Sequence, residues 1–392
     1  MPARRLPASR LRGFGTTIFT EMTRLAQQHG AVNLAQGFPD FPGPAFVKDA
    51  AVRAIAADAN QYARMQGAPE LTWAIARDVH ARTGIAYDAA TEVLVTCGAT
   101  EALHAALLAL TEPGDEVVML EPFYDSYRAC CAMAGAVPRC VTLHAPAFRW
   151  REDELRAAFG PRTRLLLLNT PHNPTGRVLS RAELELLAQL CVEHDVLCVT
   201  DEVYGRLVFE GEHVSIATLP GMLDRTLVID SMGKTFSLTG WKVGWATGPA
   251  DVVGALATAH QFITFSIATP FQHALAAALE QAGPRGYHDA FLRAYRERRD
   301  YLCDVLTACG LEVLRPEGTY FVMADIRPLG WDDDVAFCRH LVEEVGVAAI
   351  PPTAFYEHRD AGRFLVRFAF CKSMDTLHQA AGRLRSRLRR RV

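Results

Sequence analysis

No stretch of these 392 residues approaches the ~18–20 consecutive apolar side chains that a membrane span requires. Neither charge is in excess. With 41 basic and 44 acidic residues the formal charge is −3, so the concentrated positive surface that binds nucleic acid is missing. Metal-ligand spacing is missing too: Cys130 and Cys131 are adjacent, the other eight cysteines form no C-x-x-C, and His172, His194, His213 and His273 fall at no i,i+4 pair. No metal site is expected, and the thiols read as reduced, largely buried groups of a cytoplasmic protein. Residues 1–15 carry Arg4, Arg5, Arg10 and Arg12 with no acidic residue before Glu21, but lack the apolar core of a secretory signal. A mobile arm is the expectation there. The arginines at 383, 385, 387, 389, 390 and 391 read as the solvated end of a helix, where cations complement the helix dipole. Internal repeats and low-complexity tracts are absent.

What is present is an apolar half of the composition on a chain longer than the roughly 250–300 residues at which single cores stop growing, so two domains are expected. Between about 90 and 250 the sequence alternates short apolar runs with polar clusters and longer helical patterns. The runs lie at 93–95, 117–120, 165–168, 196–199, 227–229 and 243–246, and helices are predicted at 101–110 and 183–194. Continuous apolar strands alternating with helices predict a three-layer α/β body with a mostly parallel sheet. After about residue 285 a charged helix at 290–307 precedes strand candidates at 311–314 and 320–324. These predict a second, smaller α+β domain.

Each polar cluster follows an apolar run: Gly98-Ala99-Thr100, Glu121-Pro122-Phe123, the segment Asn169 to Gly176, Asp201-Glu202-Val203-Tyr204, and Ser231 to Lys234. In a parallel sheet such strand ends converge on one crevice, where ligands bind. Lys234 stands out, an amine at a strand end among glycine and hydroxyl neighbours, with Lys242 further along the same loop. Gly233-Lys234-Thr235 could close a nucleotide-binding P-loop, but the first glycine of that pattern would fall at 228, which holds Val228. The alternative is a Schiff base with a phosphorylated aldehyde, for which pyridoxal phosphate is the candidate, set against an ordinary surface lysine. Gly98-Ala99-Thr100 sits where a helix start could hold a phosphate. Asp201, at the mouth of a buried strand, needs water, a cap or a cationic partner such as a protonated pyridine nitrogen. Asn173, between two prolines, is presented at a fixed angle.

Taken together, Asn173-Pro174-Thr175-Gly176, Asp201-Glu202-Val203-Tyr204, Ser231 to Phe236, Gly240 to Trp245 and Arg367 in Phe364-Leu365-Val366-Arg367-Phe368 resemble the fold-type I pyridoxal-phosphate aminotransferases of class I/II. The segments from Gly15 to Met22 and from Asn33 to Pro42 look closest to the bacterial methionine and kynurenine (glutamine transaminase K) aminotransferase subgroup. The resemblance implies an N-terminal arm at 1–45, which also forms part of the small domain, a cofactor domain at 46–284 and a small domain at 285–392. It implies that Lys234 binds the cofactor and moves the substrate's α-proton, that Asp201 holds the ring nitrogen protonated, and that Asn173 and Tyr204 bond the ring hydroxyl. Ala99, Thr100, Ser231 and Lys242 would hold the phosphate, joined by Tyr62 from a second subunit, with Phe123 stacked on the ring. Arg367 and Gly37 would receive the substrate carboxylate, and Asn173 would also face the substrate. Phe19, Phe38 and a second subunit's Phe265 would give an apolar side-chain pocket. The implied reaction carries an amino group from an uncharged amino acid (methionine, phenylalanine, histidine, glutamine or kynurenine) to a 2-oxo acid, in a homodimer. Thr100 departs from the aromatic residue that kynurenine-type members tend to carry. A β-lyase acting on cysteine S-conjugates or cystathionine, built on the same scaffold, is the alternative; a non-catalytic regulator module is disfavoured because no basic helix–turn–helix pattern is present.

Overall fold

The computed structural model describes residues 7–390. Arg4 and Arg5 of the basic N-terminus and Arg391 of the basic C-terminus lie outside the described residues. Twelve strands occur among the described residues: β1 (Val32–Asn33), β2 (Val93–Thr96), β3 (Glu116–Glu121), β4 (Val137–Thr142), β5 (Thr163–Asn169), β6 (Leu197–Asp201), β7 (Thr226–Ser231), β8 (Gly244–Thr247), β9 (Glu312–Leu314), β10 (Phe321–Asp325), β11 (Val347–Ala348) and β12 (Leu365–Ala369). Seven of them make one sheet in the order β2-β8-β7-β6-β5-β3-β4. Only β8 runs against the rest.

Continuous apolar runs form the interior strands because both faces of the sheet are covered. Leu165 and Leu167 of β5 enter one core with Leu103 and Leu107 of the helix Gly98–Leu110. Leu166 and Leu168 point the other way, into a second core with Leu184, Leu187 and Leu190 of the helix Arg181–Glu193. That helix starts in a capping box, Ser180 with Glu183, which satisfies its first free N–H groups. β4 has no apolar run to announce it. It is an edge strand, alternately exposed, and carries Pro138, which a central strand would not tolerate.

The later part of the chain forms a smaller antiparallel sheet, β12-β10-β9, in which Met323 pairs with Arg367. The helix Tyr287–Ala308 leads into it. Residues near the N-terminus join this part, since β1 pairs in parallel with β11. The C-terminal helix Met374–Arg387 is solvated on one side only: Leu377, Ala380, Ala381 and Leu384 are buried, and Arg383 donates to the carbonyls of Gly30 and Gly346, each at 2.8 Å. The described part of the expected arm is tethered, not free. Ser9–Leu11 forms a single turn, and Phe14 lies under the guanidinium of Arg128 at 6.0 Å.

Because β8 runs in reverse, its first residue, Gly244, lies beside Thr96 and Ser231, the last residues of β2 and β7. A methyl group at Gly244 would sit 2.5 Å from the carbonyl carbon of Gly98 and 2.6 Å from the Ala99 nitrogen. Backbone cannot yield as a flexible side chain can. Gly244→Ala is therefore expected to destabilise the protein by about 1–3 kcal/mol. Gly254→Ala, on the exposed side of the helix Ala250–Ile263 with open space around it, should be neutral or stabilising by up to about 1 kcal/mol. Thermal denaturation of the pair decides the matter; equal melting temperatures would refute the close-approach reading.

Candidate active site

The ends of β2, β3, β5, β6 and β7, and the start of the reversed β8, meet around a cavity of about 220 Å³. Of the residues singled out from the sequence, Phe19, Gly37, Phe38, Ala99, Thr100, Asn173, Asp201, Tyr204, Ser231, Lys234, Lys242 and Arg367 line it. Phe123 does not. It is buried in the core that also holds Leu103 and Cys131, and its N–H donates to the carbonyl of Phe355 at 2.8 Å. The chain turns after Pro122 so that the next residue, Tyr124, faces the cavity. Tyr62 and Phe265 are also absent from the lining; they meet edge to face at 5.4 Å on the surface, 83% and 43% exposed.

Lys234 lies in the single helical turn Met232–Thr235 that follows β7. Its amine donates to the hydroxyl of Tyr320 at 2.9 Å, and burial pulls its pKa below the ordinary lysine value. Asp201, the last residue of β6, is buried and accepts a hydrogen bond from the hydroxyl of Tyr127 at 2.7 Å. Burial pushes its carboxyl up to about 6, with the Tyr127 bond working in the opposite direction. Asn169 holds two strand ends together: its amide donates to the carbonyl of Asp201 at 2.8 Å, and its side-chain oxygen accepts from the Asn173 N–H at 2.7 Å.

The helix Gly98–Leu110 points its N-terminus at the same cavity. Free N–H groups and the helix dipole there favour an anion. Gly98 takes a positive φ of 74°, and the Lys242 amine would lie 3.2 Å from any Cβ placed on it. On the opposite wall Arg367 is almost wholly buried. It donates to Asn173 Oδ1 at 3.3 Å and to the carbonyl of Ala35 at 2.9 Å, while its Nε has no partner. Rings of Phe321, Phe355 and Phe19 surround the guanidinium at 4.1, 5.0 and 5.2 Å. Its partners are uncharged, so the internal salt bridge that an arginine in an apolar strand suggests is not what holds it.

Tyr124, Tyr127, Phe321 and Tyr320 are site residues that the sequence did not mark out as such, and Asn169 entered only as the first residue of a polar cluster. Tyrosines within or beside apolar runs read as core, and nothing in their spacing tells where the hydroxyl points.

An amine with a lowered pKa, a buried carboxylate and a helix start open to an anion around one cleft are the groups that a transferase working through an amine-bound, phosphorylated aldehyde requires. The comparisons with known proteins agree. Residues 29–384 match the family model for aminotransferase class I and II. The chain is 47% identical to a probable N-succinyldiaminopimelate aminotransferase DapC of Mycobacterium tuberculosis, covering 97% of this chain and 98% of that one. It is 40% identical to kynurenine–oxoglutarate transaminase 1 of Homo sapiens, over 98% of each chain. The solved structure of YbdL from Escherichia coli, in which a methionine aminotransferase function was identified, superposes with a TM-score of 0.93 at 42% identity, covering 97% of this chain and 99% of that one. The chain belongs to the class I and II aminotransferases, and pyridoxal phosphate is its cofactor. The residues present fit that group and its substrate: a glycine whose missing Cβ leaves room under Lys242, a buried aspartate hydrogen-bonded to no cation, and an orphaned guanidinium nitrogen for the carboxylate of an amino acid.

The carboxyl of Asp201 has a pH consequence. Its folded value lies above the ordinary 3.8, so the stability tied to its protonated form is fully present below about pH 4 and is lost as pH rises through about 6. Cofactor-free Asp201→Asn should therefore be more stable than the parent at pH 8, on the order of 1–3 kcal/mol, and indistinguishable near pH 4. Urea denaturation of both cofactor-free proteins at the two pH values tests this. Equal stability at pH 8 would mean the buried carboxylate carries no penalty.

Proposed function

We propose that this aminotransferase moves the α-amino group of an uncharged, apolar or aromatic L-amino acid to a 2-oxo acid, with methionine, phenylalanine, histidine, glutamine and kynurenine as candidate donors. Bound pyridoxal phosphate supplies the aldehyde that takes the amino group and a ring that draws electrons from the reacting carbon. Lys234 holds the cofactor and then carries the α-proton, for which a lowered pKa keeps a larger share of the amine neutral. Asp201 keeps the ring nitrogen protonated, and that positive charge in turn relieves its burial. Tyr204 and Asn173 would donate to the ring hydroxyl, Tyr124 would pack against the ring, and the helix start at Ala99 and Thr100 would hold the phosphate with Ser231 and Lys242. Arg367 grips the α-carboxylate, with Gly37 leaving space for it.

The observation that carries the substrate assignment is a count of charges. Lys234, Lys242 and Arg367 are the cationic side chains among the described lining residues, and each has a task. None is left for a distal carboxylate. Phe19, Phe38 and Phe321 add aromatic surface to the lining.

The same reading makes the active unit a homodimer. Tyr62, Phe262 and Phe265 are large apolar side chains exposed at 83%, 83% and 43%, the pattern of a surface that meets a partner. Tyr62 would then reach the phosphate of the second copy's site, and Phe265 its substrate pocket. On this reading 46–284 is the large cofactor-binding domain and 285–392 the small domain, to which the N-terminal arm at 1–45 contributes a part. Ten unpaired thiols suit a reducing cytoplasm.

Donor profiling of the purified enzyme, following conversion of the cofactor from its aldehyde to its amine form, should show faster half-reactions with the uncharged donors than with aspartate or N-succinyldiaminopimelate. A preference for either of these donors, each with a carboxylate beyond the α-carboxylate, would overturn the charge count. Lys234→Ala should lose turnover by about a thousandfold or more. With a cysteine S-conjugate, transaminated product should exceed pyruvate; the reverse ratio would favour the β-lyase.

A further inference from the structure

Tyr320 precedes β10 and is completely buried. Its ring is fixed on several sides, edge-on to Tyr204 at 5.1 Å and to Phe321 at 4.8 Å, and stacked against Tyr295 at 6.1 Å. Its hydroxyl therefore has one place to be. There it donates to the carbonyl of Gly37 at 2.5 Å and accepts from the Lys234 amine at 2.9 Å, with the hydroxyl of Tyr204 also in hydrogen-bonding reach.

The direction of these two bonds is forced by what each group can offer. A carbonyl oxygen only accepts, so the single hydroxyl hydrogen is committed to Gly37. Toward Lys234 the phenol is left with lone pairs alone. A neutral amine has two N–H donors and one lone pair, and an acceptor can engage only an N–H. Tyr320 therefore anchors the amine without occupying the electrons that make it a nucleophile and a base. The phenol also keeps its proton, because burial raises its pKa well above that of free tyrosine.

We infer that Tyr320 is a positioning residue for Lys234, holding the amine by an N–H with its lone pair free, both when it captures the cofactor and when it receives the substrate's α-proton. Capture forms the C–N bond from that pair and releases the carbonyl oxygen as water with the two amine hydrogens. The same hydroxyl ties the amine to Gly37, whose backbone is packed so closely that a Cβ there would lie 2.7 Å from the Phe321 ring. Lysine position and the substrate-facing N-terminal segment are thus set by one group. The inference rests on the aminotransferase reading, in which Lys234 is both anchor and base.

Tyr320→Phe keeps the ring and its packing while deleting the hydroxyl. Three measurements are needed on this variant and its parent: the rate at which cofactor-free enzyme captures pyridoxal phosphate, its affinity for pyridoxamine phosphate, and the α-deuterium isotope effect on kcat. Pyridoxamine phosphate has no aldehyde and tests the cavity without the lysine. Capture is expected to slow by about tenfold, the scale of one lost hydrogen bond, and the isotope effect to rise as proton transfer becomes limiting. Affinity for pyridoxamine phosphate should stay within about twofold, since the hydrogen bond lost is not one to that ligand. Unchanged capture and isotope effect would overturn the inference. So would a loss of pyridoxamine phosphate binding as large as the loss in capture rate, because the hydroxyl would then be supporting the cavity as a whole. Lys234→Ala reports separately: full turnover by that variant defeats the lysine mechanism itself, whatever Tyr320→Phe does.

Discussion

Charge held out of water without a charged partner is the constraint around which this molecule is built. Asp201 and Arg367 are both buried, and the partners they have are uncharged: a phenol and backbone amide for one, an amide oxygen and a carbonyl for the other. Lys234 is bonded to a phenol. Unpaired buried ions cost several kcal/mol each, so the surrounding fold must hold them against relaxation toward solvent or toward one another. It does so by mounting them on different elements: Asp201 ends β6, Lys234 follows β7, and Arg367 lies within β12 of the smaller sheet. The sites where charge is most costly are those a charged ligand can use most.

That arrangement explains why the reversed strand and the second sheet are both needed. Strands running one way bring only their C-terminal ends to the crevice. Reversing β8 brings a beginning there instead, so Lys242 and the side-chain-free Gly244 reach the edge where the helix Gly98–Leu110 starts. The smaller sheet supplies the opposite wall, where antiparallel pairing of β10 with β12 sets Arg367 across from Met323 and Tyr320 falls just before the strand. β1 against β11 then fixes the start of the segment that leads to Gly37.

Much of this was legible in the amino-acid sequence, because the large sheet is covered on both faces and its strands had to be continuous apolar runs. The polar residues at their ends were visible for the same reason: they interrupt those runs. Where a strand is exposed the signal fails, as at β4, whose alternation of exposed and half-buried residues with Pro138 resembles a loop. Adjacent aromatics also defeat the sequence. Phe123 and Tyr124 differ by one position, and only the turn after Pro122 decides which of them faces the cavity. Tyr127 and Tyr320 are harder still, since a buried tyrosine is ordinary core until its hydroxyl is seen to meet Asp201 or Lys234.

Relatives named for quite different amino donors share this fold over nearly the full chain, so the parts that hold the cofactor cannot be what distinguishes donors. Discrimination must fall to lining residues that carry no cofactor task, and in this chain Phe19, Gln36, Phe38 and Phe321 are among them. Gln36 is the one uncharged polar side chain of the four, and its amide is already spent: Nε2 donates to the carbonyl of Phe19 at 3.1 Å and to Thr23 Oγ1 at 2.6 Å. It braces the helix Ile18–Gln28, on which Phe19 rides, instead of facing a substrate. The other three are aromatic, and on the proposed donor assignment an aromatic surface without a spare donor would reject a distal carboxylate by leaving it unsolvated and unpaired. On that assignment selectivity turns on which charge the pocket declines to meet, and the bracing of one helix by one amide holds Phe19 in place for it.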